Sequence, residues 1–283
     1  MRIPFRNVRV PKEGPSLQQR LEDGARVMWC AAHPDDESMM GPVLAKAGPG
    51  LGLPLYFLVL THGEGGECCI PGGCHPDLAT VRAGEMKQVA QAYRAELQME
   101  RFWNAPLPVE SFPARHDLAK KWHDEGDPAR LCAVAIRRFR PDVLLTFHPD
   151  TGFTGHPEHQ IMARFAGAGA RLAADAARDL DGLPAHRVPA MYYGLNRYFP
   201  FRWLGQGDPG IYTDRFDARQ PCSGGKNCAQ VMAELTKFHR SQDKDMRQIR
   251  ILCRLIRDVF LYRVDPFTEI KDPFEFEAKR VPM

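Results

Sequence analysis

An apolar segment that ends in a cluster of metal-binding side chains constrains the fold of this 283-residue chain most strongly. The segment begins at Val27, after the turn-like residues 23–26, and its apolar character predicts a buried strand. It leads directly to His33, Asp35 and Asp36. Because ligands bind beyond the carboxyl ends of strands in open α/β sheets, this order predicts an α/β fold with a site at the edge of the sheet.

The side chains of this cluster are the types that bind a divalent metal ion. His33 and Asp36 are three residues apart and can turn towards one ion, which leaves Asp35 available to act on a bound water. Glu37 completes the cluster. The alternative is an ordinary polar loop after a strand, since His-Pro and Asp-Asp pairs are common in loops.

A second cluster of the same kind follows another apolar segment, residues 142–146, which is also predicted to be a strand. His156 and His159 begin a predicted helix over 156–179, with Pro157 at its first position, where proline is well tolerated. Being three residues apart, the two histidines lie on one side of the first turn. Two strand ends can converge across a sheet, so the two clusters predict ligands from separated segments.

Both clusters carry a resemblance to one family. Ala32–Glu37 matches the AHPDDE signature of the PIG-L/LmbE-like zinc-dependent de-N-acetylases. Gly155–His159 resembles that family's GHPDH motif, with Glu158 in place of the usual Asp. The order of the two motifs and the distance between them in the sequence also fit the family. The resemblance covers residues 25 to about 195 well and the remainder weakly.

Three shorter segments extend the resemblance. Thr61–Gly66 is similar to the family's T-R-G-E segment, with His62 where Arg is common. Arg82 and Glu85 resemble its R-x-x-E pair, and residues 239–242 resemble its late H-x-S-Q segment. The resemblance implies a Rossmann-like three-layer α/β fold with a mostly parallel sheet and a metal site at the carboxyl ends of the strands.

The resemblance also implies roles for individual residues. One Zn²⁺ per chain is expected to bind to two imidazoles and a carboxylate, namely His33, Asp36 and His159. Asp35 is expected to be the general base, and His156 to stabilise the oxyanion or protonate the leaving amine. Arg82 is expected to contact substrate. Glu37 and Asp150 are expected to orient ligands.

The expected reaction is removal of an N-acetyl group from an N-acetylglucosamine-type substrate. Two alternatives stay open: a metal-dependent amidase that acts on a non-sugar amide such as a thiol conjugate, and a non-catalytic ligand-binding module on the same fold. A dinucleotide-binding protein is disfavoured, because no G-x-G-x-x-G follows the first strand.

Composition limits the partners and the location. A net charge of +3 gives no reason to expect nucleic acid, and no apolar run approaches the length of a transmembrane helix. The basic start of the chain lacks an apolar signal region, so we expect a cytoplasmic protein. The sequence is also compatible with a homo-oligomer. We expect a single domain over 1–283, with its core at about 25–195. Residues 196–283 are expected to supply pocket-completing loops, C-terminal helices and an extended tail.

The eight cysteines fall into two sets. Three lie in predicted strands or helices and are expected to be small buried hydrophobic residues: Cys30, Cys132 and Cys253. The other five lie in two loops: Cys68, Cys69 and Cys74 in one, Cys222 and Cys228 in the other. They could bind a second metal ion, form disulfides that join the two loops, or stay reduced; the C-x-x-C pairs of structural zinc sites are absent.

Further elements are predicted from hydrophobic patterns. Leu53–Thr61, Met99–Trp103 and Ala190–Leu195 are expected to be strands, and Ser38–Lys46 a helix. The pattern over Asn227–Leu261 favours helix throughout.

Overall fold

The computed structural model describes residues 7–198, 208 and 210–276. Its α-helices are α1 (Leu17–Glu22), α2 (Gly41–Ala45), α3 (Leu78–Tyr93), α4 (Arg115–Glu125), α5 (Pro128–Phe139), α6 (Gly152–Gly155), α7 (Pro157–Ala174), α8 (Cys228–Leu235) and α9 (Asp243–Leu252). Its strands are β1 (Val8–Arg9), β2 (Val27–Ala31), β3 (Leu55–Val59), β4 (Ala95–Met99), β5 (Val143–Phe147), β6 (Ala190–Leu195), β7 (Ile211–Tyr212), β8 (Asp214–Asp217) and β9 (Asp258–Val264).

The chain divides into two compact units. The first unit contains residues 1–30, 114–216 and 260–283, and the second contains 31–113 and 217–259. The chain passes from the first unit to the second at the last residue of β2. The expectation of a single domain over 1–283 stays a prediction.

In the first unit, β2 pairs in parallel with β5, and β5 pairs in parallel with β6. β9 pairs antiparallel with β6, with Leu195 opposite Phe260. β2, β5 and β6 are buried along their whole length, as expected for strands that helices cover on both faces. α5 and α7 pack closely at Gly169, where a Cβ atom would lie 2.4 Å from the Cβ of Cys132. The predicted mostly parallel α/β class is confirmed.

In the second unit, β3 and β4 pair in parallel, with Leu55 opposite Ala95. The chain after β3 continues alongside the end of β2, because the backbone N–H of Thr61 donates to the carbonyl of Ala32 at 2.9 Å. α8 packs against α2 at Gly41, a position that leaves no room for a Cβ beside Met232. These contacts fix the segment that follows β2.

The sequence predicted some elements correctly and others incorrectly. The strand Ala190–Leu195 is confirmed. The strand expected at Met99–Trp103 is wrong, because the chain pairs with β3 earlier, over β4. The helix expected to reach Leu261 ends with α9, and Phe260 lies in β9, where pairing with β6 overrides the helical spacing of apolar residues.

Two further predictions need comment. The single helix expected over Ser38–Lys46 is a 3₁₀ turn, Asp36–Met39, followed by α2. Parts of the predicted pocket-completing segment and tail, residues 199–207, 209 and 277–283, lie outside the described residues. None of the helices in the described part of the chain has the length and hydropathy that a membrane crossing requires.

Candidate active site

The turn after β2 holds its acidic side chains in a constrained backbone. Asp35 has φ 104° and ψ −20°, a left-handed conformation that is uncommon for a residue other than glycine. The carboxylate of Asp36 accepts hydrogen bonds from the backbone N–H groups of Ala32 at 2.9 Å and His33 at 2.7 Å. The same oxygen lies 3.6 Å from Nδ1 of His33. The turn therefore holds Asp36 and the His33 imidazole side by side, as the spacing predicted.

Gln242 fixes the neighbouring carboxylate. Its Nε2 donates to the carbonyl of Pro34 at 2.9 Å and also to Oδ2 of Asp35. A side-chain amide has two N–H donors, so both contacts can form at once. Gln242 is buried and reaches Asp35 from a position far along the chain. The amide thus determines how the Asp35 carboxylate is turned.

The charge state of Asp35 is also perturbed. Burial and the negative charge of Asp36 together raise its pKa to about 7. The positive charges of Arg82, His239 and His33 act in the opposite direction but do not cancel these effects. A carboxyl group whose pKa lies near neutrality can accept a proton during a reaction and release it afterwards.

The segment that supplies Gln242 is itself held by two acidic residues of the second unit. His239 forms a 2.8 Å hydrogen bond from Nε2 to Oε1 of Glu37, and both side chains are buried. Glu85 accepts hydrogen bonds from the backbone N–H of Ser241 at 2.9 Å and from its hydroxyl at 2.6 Å. His239 and Ser241 are therefore both anchored, and their contacts position Gln242, the residue that follows Ser241.

In the first unit, a backbone carbonyl orients the ring of His159. Nδ1 of His159 lies 2.8 Å from the carbonyl oxygen of Gly152. A carbonyl only accepts, so Nδ1 carries the proton and the lone pair of the neutral ring lies on Nε2. The ring is buried and stacks on Phe147, with centroids 4.3 Å apart. This is the arrangement of a metal-binding imidazole.

His156 has the opposite proton distribution. It caps α7, and its Nδ1 accepts a hydrogen bond from the backbone N–H of Glu158 at 3.3 Å. Nδ1 is therefore unprotonated, and in the neutral ring the proton lies on Nε2. The rings of His156 and His159 lie with centroids 4.7 Å apart, and one nitrogen of each lies within 4.8 Å of the other. One turn thus holds two neighbouring imidazoles in opposite tautomers.

Comparison with known proteins identifies the family. Residues 28–169, half of the chain, match the family model described as PIG-L: GlcNAc-PI de-N-acetylase. This chain belongs to the PIG-L family.

One relative is 1D-myo-inositol 2-acetamido-2-deoxy-alpha-D-glucopyranoside deacetylase 2 of Catenulispora acidiphila. It is 31% identical over 182 residues, which cover 58% of this chain and 58% of that protein. The chain spans less than two thirds of the length of the curated relatives it matches.

Two solved structures resemble the fold. The N,N'-diacetylchitobiose deacetylase of Pyrococcus horikoshii has a TM-score of 0.62 and 15% identity, and the match covers 91% of this chain and 90% of that one. The 4-carboxy-2-hydroxymuconate hydratase of Pseudomonas putida has a TM-score of 0.58 and 13% identity, with 85% and 96% covered. At these identities the likeness establishes the fold alone. The hydratase illustrates that one fold hosts different reactions.

Arg82 in this PIG-L family member makes contacts that the sequence did not predict. The side chain is buried, and its Nη2 donates to the carbonyl of Glu67 at 3.4 Å. A Cβ atom at Gly63 would lie 2.4 Å from Nη1, and one at Gly66 would lie 2.5 Å from Nη2. The guanidinium therefore supports the loop after β3, and a contact with substrate stays a prediction.

The two carboxylates expected to orient ligands behave differently. Glu37 orients His239, a residue outside both motifs. Asp150 is half-exposed and forms ion pairs with Arg164 at 3.2 Å and Lys271 at 2.6 Å. Both of its carboxylate oxygens face cations, and its role in orienting a ligand stays a prediction.

A buried carboxylate that the sequence did not single out lies near the second motif. Asp208 accepts hydrogen bonds from the backbone N–H of Asn196 and the hydroxyl of Thr151, and it lies 4.0 Å from Nδ1 of His148. Burial raises its pKa. No sequence pattern marks Asp208. By contrast, the H-x-S-Q and R-x-x-E resemblances marked Gln242 and Glu85 without giving them a role.

The loop cysteines adopt a combination of the states that the sequence left open. Cys68 and Cys74 form a disulfide within one loop. Cys69, Cys222 and Cys228 are reduced, so no disulfide joins the two loops in the described residues. The three cysteines expected to be buried are buried: Cys30, Cys132 and Cys253.

Proposed function

We propose that this protein hydrolyses the acetamide of a 2-acetamido-2-deoxyglucose unit and releases acetate and a free amine. The observation that carries the proposal is the pair of opposite tautomers on His156 and His159, which supplies a metal ligand and a proton donor in one helical turn. Membership of the PIG-L family supports the reaction class, and the name of the Catenulispora relative supports an acetamido sugar as substrate.

The proposal includes one Zn²⁺, held by His33, Asp36 and His159. These residues fit zinc, because catalytic zinc sites use neutral imidazoles and carboxylates, and the lone pair of neutral His159 lies on Nε2. Backbone hydrogen bonds hold the Asp36 carboxylate, and the His33 imidazole lies beside it. These two ligands are therefore preorganised for a metal ion. When bound, zinc lowers the pKa of water to about 7 and polarises an acyl oxygen.

Asp35 is the general base of the proposed reaction. It takes a proton from the water that attacks the acetyl carbonyl, and a pKa of about 7 makes both proton uptake and release feasible near neutral pH. Gln242 turns the carboxylate by donating to one of its oxygens. Glu37 contributes from a distance, because it holds His239, which belongs to the same segment as Gln242.

His156 stabilises the charge that develops in the proposed reaction. Its Nε2–H donates a hydrogen bond to the oxygen that gains negative charge, and the proton that Asp35 takes from water passes to the departing amine. The backbone hydrogen bond to Nδ1 selects this tautomer before substrate binds. Arg82 is retained in the proposal as a contact for the sugar. Cytoplasmic location and homo-oligomer formation also stay predictions.

A substrate panel tests the function. Purified protein loaded with zinc is offered N-acetylglucosamine, its myo-inositol glycoside, N,N'-diacetylchitobiose and a non-sugar N-acetyl amide, and both acetate and free amine are measured. We expect equal amounts of the two products from at least one acetamido sugar, loss of activity on chelation, and recovery on adding zinc.

Two results would overturn the proposal in different ways. Turnover of the non-sugar amide alone would keep the chemistry but replace the substrate class with that of an amidase. A zinc-loaded, folded protein that releases no amine from any compound in the panel would contradict the hydrolase itself. Thermal stabilisation by an acetamido sugar without product would then favour a ligand-binding module.

A further inference from the structure

A hairpin of the second unit brings two reduced cysteines onto one face. Pro221 and Asn227 form an antiparallel bridge, and the backbone N–H of Cys222 donates to the carbonyl of Lys226 at 2.9 Å. Cys222 follows one bridged residue and Cys228 follows the other. Because side chains alternate between the faces of paired strands, both cysteines point to the face opposite the bridged side chains. Cys222 is opposite Lys226 and Cys228 is opposite Gln220, so the backbone holds the two thiols as a diagonal pair on one face of the hairpin.

The two thiols differ in their surroundings. Sγ of Cys222 donates to the carbonyl of Ala45 at 3.2 Å, and Sγ of Cys228 donates to the carbonyl of Gln220 at 3.5 Å. The Cys228 thiol and the positive charge of Lys46 lower the pKa of Cys222, whereas the Cys222 thiol and burial raise the pKa of Cys228. Cys222 is partly exposed. Such an asymmetry makes the accessible sulfur the better nucleophile.

The chain contains the same spacing a second time. Cys68 and Cys74, also six positions apart, are already joined by a disulfide in the same unit. A loop of this length thus accommodates a disulfide in this protein, and the hairpin holds the thiols of Cys222 and Cys228 on one face before any bond forms. Closing the bond requires the two sulfur atoms to approach to about 2.05 Å.

We propose that Cys222 and Cys228 are a redox site that a low-molecular-weight disulfide such as glutathione disulfide oxidises reversibly. The Cys222 thiolate attacks one sulfur of glutathione disulfide, which forms a mixed disulfide and releases one glutathione thiolate. The Cys228 thiol then loses its proton and attacks Sγ of Cys222, which forms the protein disulfide and expels the second glutathione. Two cysteine thiols are oxidised, and one glutathione disulfide is reduced to two thiols.

Oxidation changes a local contact and is independent of the proposed function. The Cys222–Cys228 bond removes the S–H group that donates to Ala45, the last residue of α2. It also ties the hairpin to Cys228, the first residue of α8. Neither change requires the chain to be a deacetylase, so the test of the redox site is independent of the test of the proposed function.

Peptide mapping of the native protein tests the proposal directly. The full chain is equilibrated with defined ratios of glutathione to glutathione disulfide, quenched with acid, alkylated and cleaved after Lys and Arg. Cleavage at Lys226 separates the two cysteines, so the disulfide joins peptides Gln220–Lys226 and Asn227–Lys237. The existing disulfide stays within the single peptide Ala47–Arg82 and gives no interfering link. We expect the linked peptides to increase with the oxidised fraction and to disappear on reduction.

Variants assign the two sulfur atoms. Cys228→Ser should accumulate a stable glutathione adduct on Cys222, because the second attack is lost. Cys222→Ser should leave the buried Cys228 unmodified. Cys69→Ser, which removes another partly exposed thiol of the second unit, is the matched control and should give wild-type yields of linked peptides.

Two outcomes would overturn the redox site. One is wild-type protein that accumulates the Cys222 adduct without linked peptides. The other is wild-type protein in which both thiols remain unmodified in glutathione disulfide. Because both are measured on the native chain, the conclusion does not depend on whether the variants fold.

Discussion

The two motif-bearing regions hold their functional side chains in different ways. At the start of α7, each histidine is oriented by a backbone group at most seven residues away: Gly152 for His159 and Glu158 for His156. After β2, the acidic side chains depend in part on residues more than 200 positions along the chain, where His239 contacts Glu37 and Gln242 contacts Asp35.

This difference separates local from long-range positioning. Proline at the first position of α7 presets the backbone angle there, and backbone groups close in the sequence orient both histidines. The turn at Asp35 has a strained backbone and is followed directly by the acidic residues Asp36 and Glu37. Contacts with the rest of the second unit therefore have to stabilise it. Substitutions in the α7 region should therefore change chemistry or metal binding, whereas substitutions around Asp35 should also change positioning and stability.

The largest expected effect is on catalysis at Asp35. Asp35→Ala should lower kcat by about 10²–10⁴-fold, the usual contribution of a general base, while zinc content stays unchanged. Steady-state kinetics and elemental analysis check both parts. Asp117→Ala, an exposed carboxylate on α4, is the matched control. A rate near wild type would remove Asp35 as the base.

The second prediction concerns the contribution of the buried His239–Glu37 pair to stability. His239→Ala should lower the free energy of unfolding by about 3–5 kcal/mol, because it leaves Glu37 buried without its partner. Urea denaturation followed by circular dichroism measures the change. A loss below about 1 kcal/mol would indicate that this pair does not hold the segment.

The same variant has a pH dependence whose sign follows from the structure. Burial lowers the pKa of His239, but the carboxylates of Glu37, Asp35 and Glu85 outweigh it, so the pKa is raised above 6.5. The stabilisation from protonated His239 is then fully present below 6.5 and is lost as pH rises through the folded-state pKa. The difference in unfolding free energy between wild type and His239→Ala should therefore shrink at alkaline pH; a pH-independent difference would contradict a charged pair.

The two histidines at the start of α7 are expected to respond differently to substitution. His159→Ala should weaken zinc binding by more than the roughly 10–100-fold that loss of an outer partner costs. His156→Ala should keep the metal and lose turnover, since its proton lies on Nε2. Elemental analysis after dialysis and single-turnover kinetics distinguish the two. Equal zinc loss in both variants would refute the assignment from tautomers.

The smallest expected effect concerns Gln242. Gln242→Ala should lower kcat by about 10–100-fold with little change in KM or zinc content, because it misorients Asp35 without removing it. Gln88→Ala, an exposed glutamine on α3 in the same unit, should behave like wild type. If Gln242→Ala were as active as the control, the turn alone would orient Asp35.

The amino-acid sequence is sufficient to predict the α/β class, the strand Ala190–Leu195 and the two motifs. These depend on local information: runs of apolar residues specify buried strands, and a spacing of three places two side chains on one helical face. The sequence also predicts different roles for His156 and His159, and these roles stay predictions.

The residues that support the site from distant positions in the sequence depend on long-range packing. Gln242 contacts Asp35, and His239 contacts Glu37, through hydrogen bonds that span 207 and 202 positions, and no periodicity encodes such pairs. The same holds for β9, whose apolar spacing suits a helix until β6 supplies a pairing edge. Contacts of this kind arise from packing between elements, so they become visible only when the chain has folded.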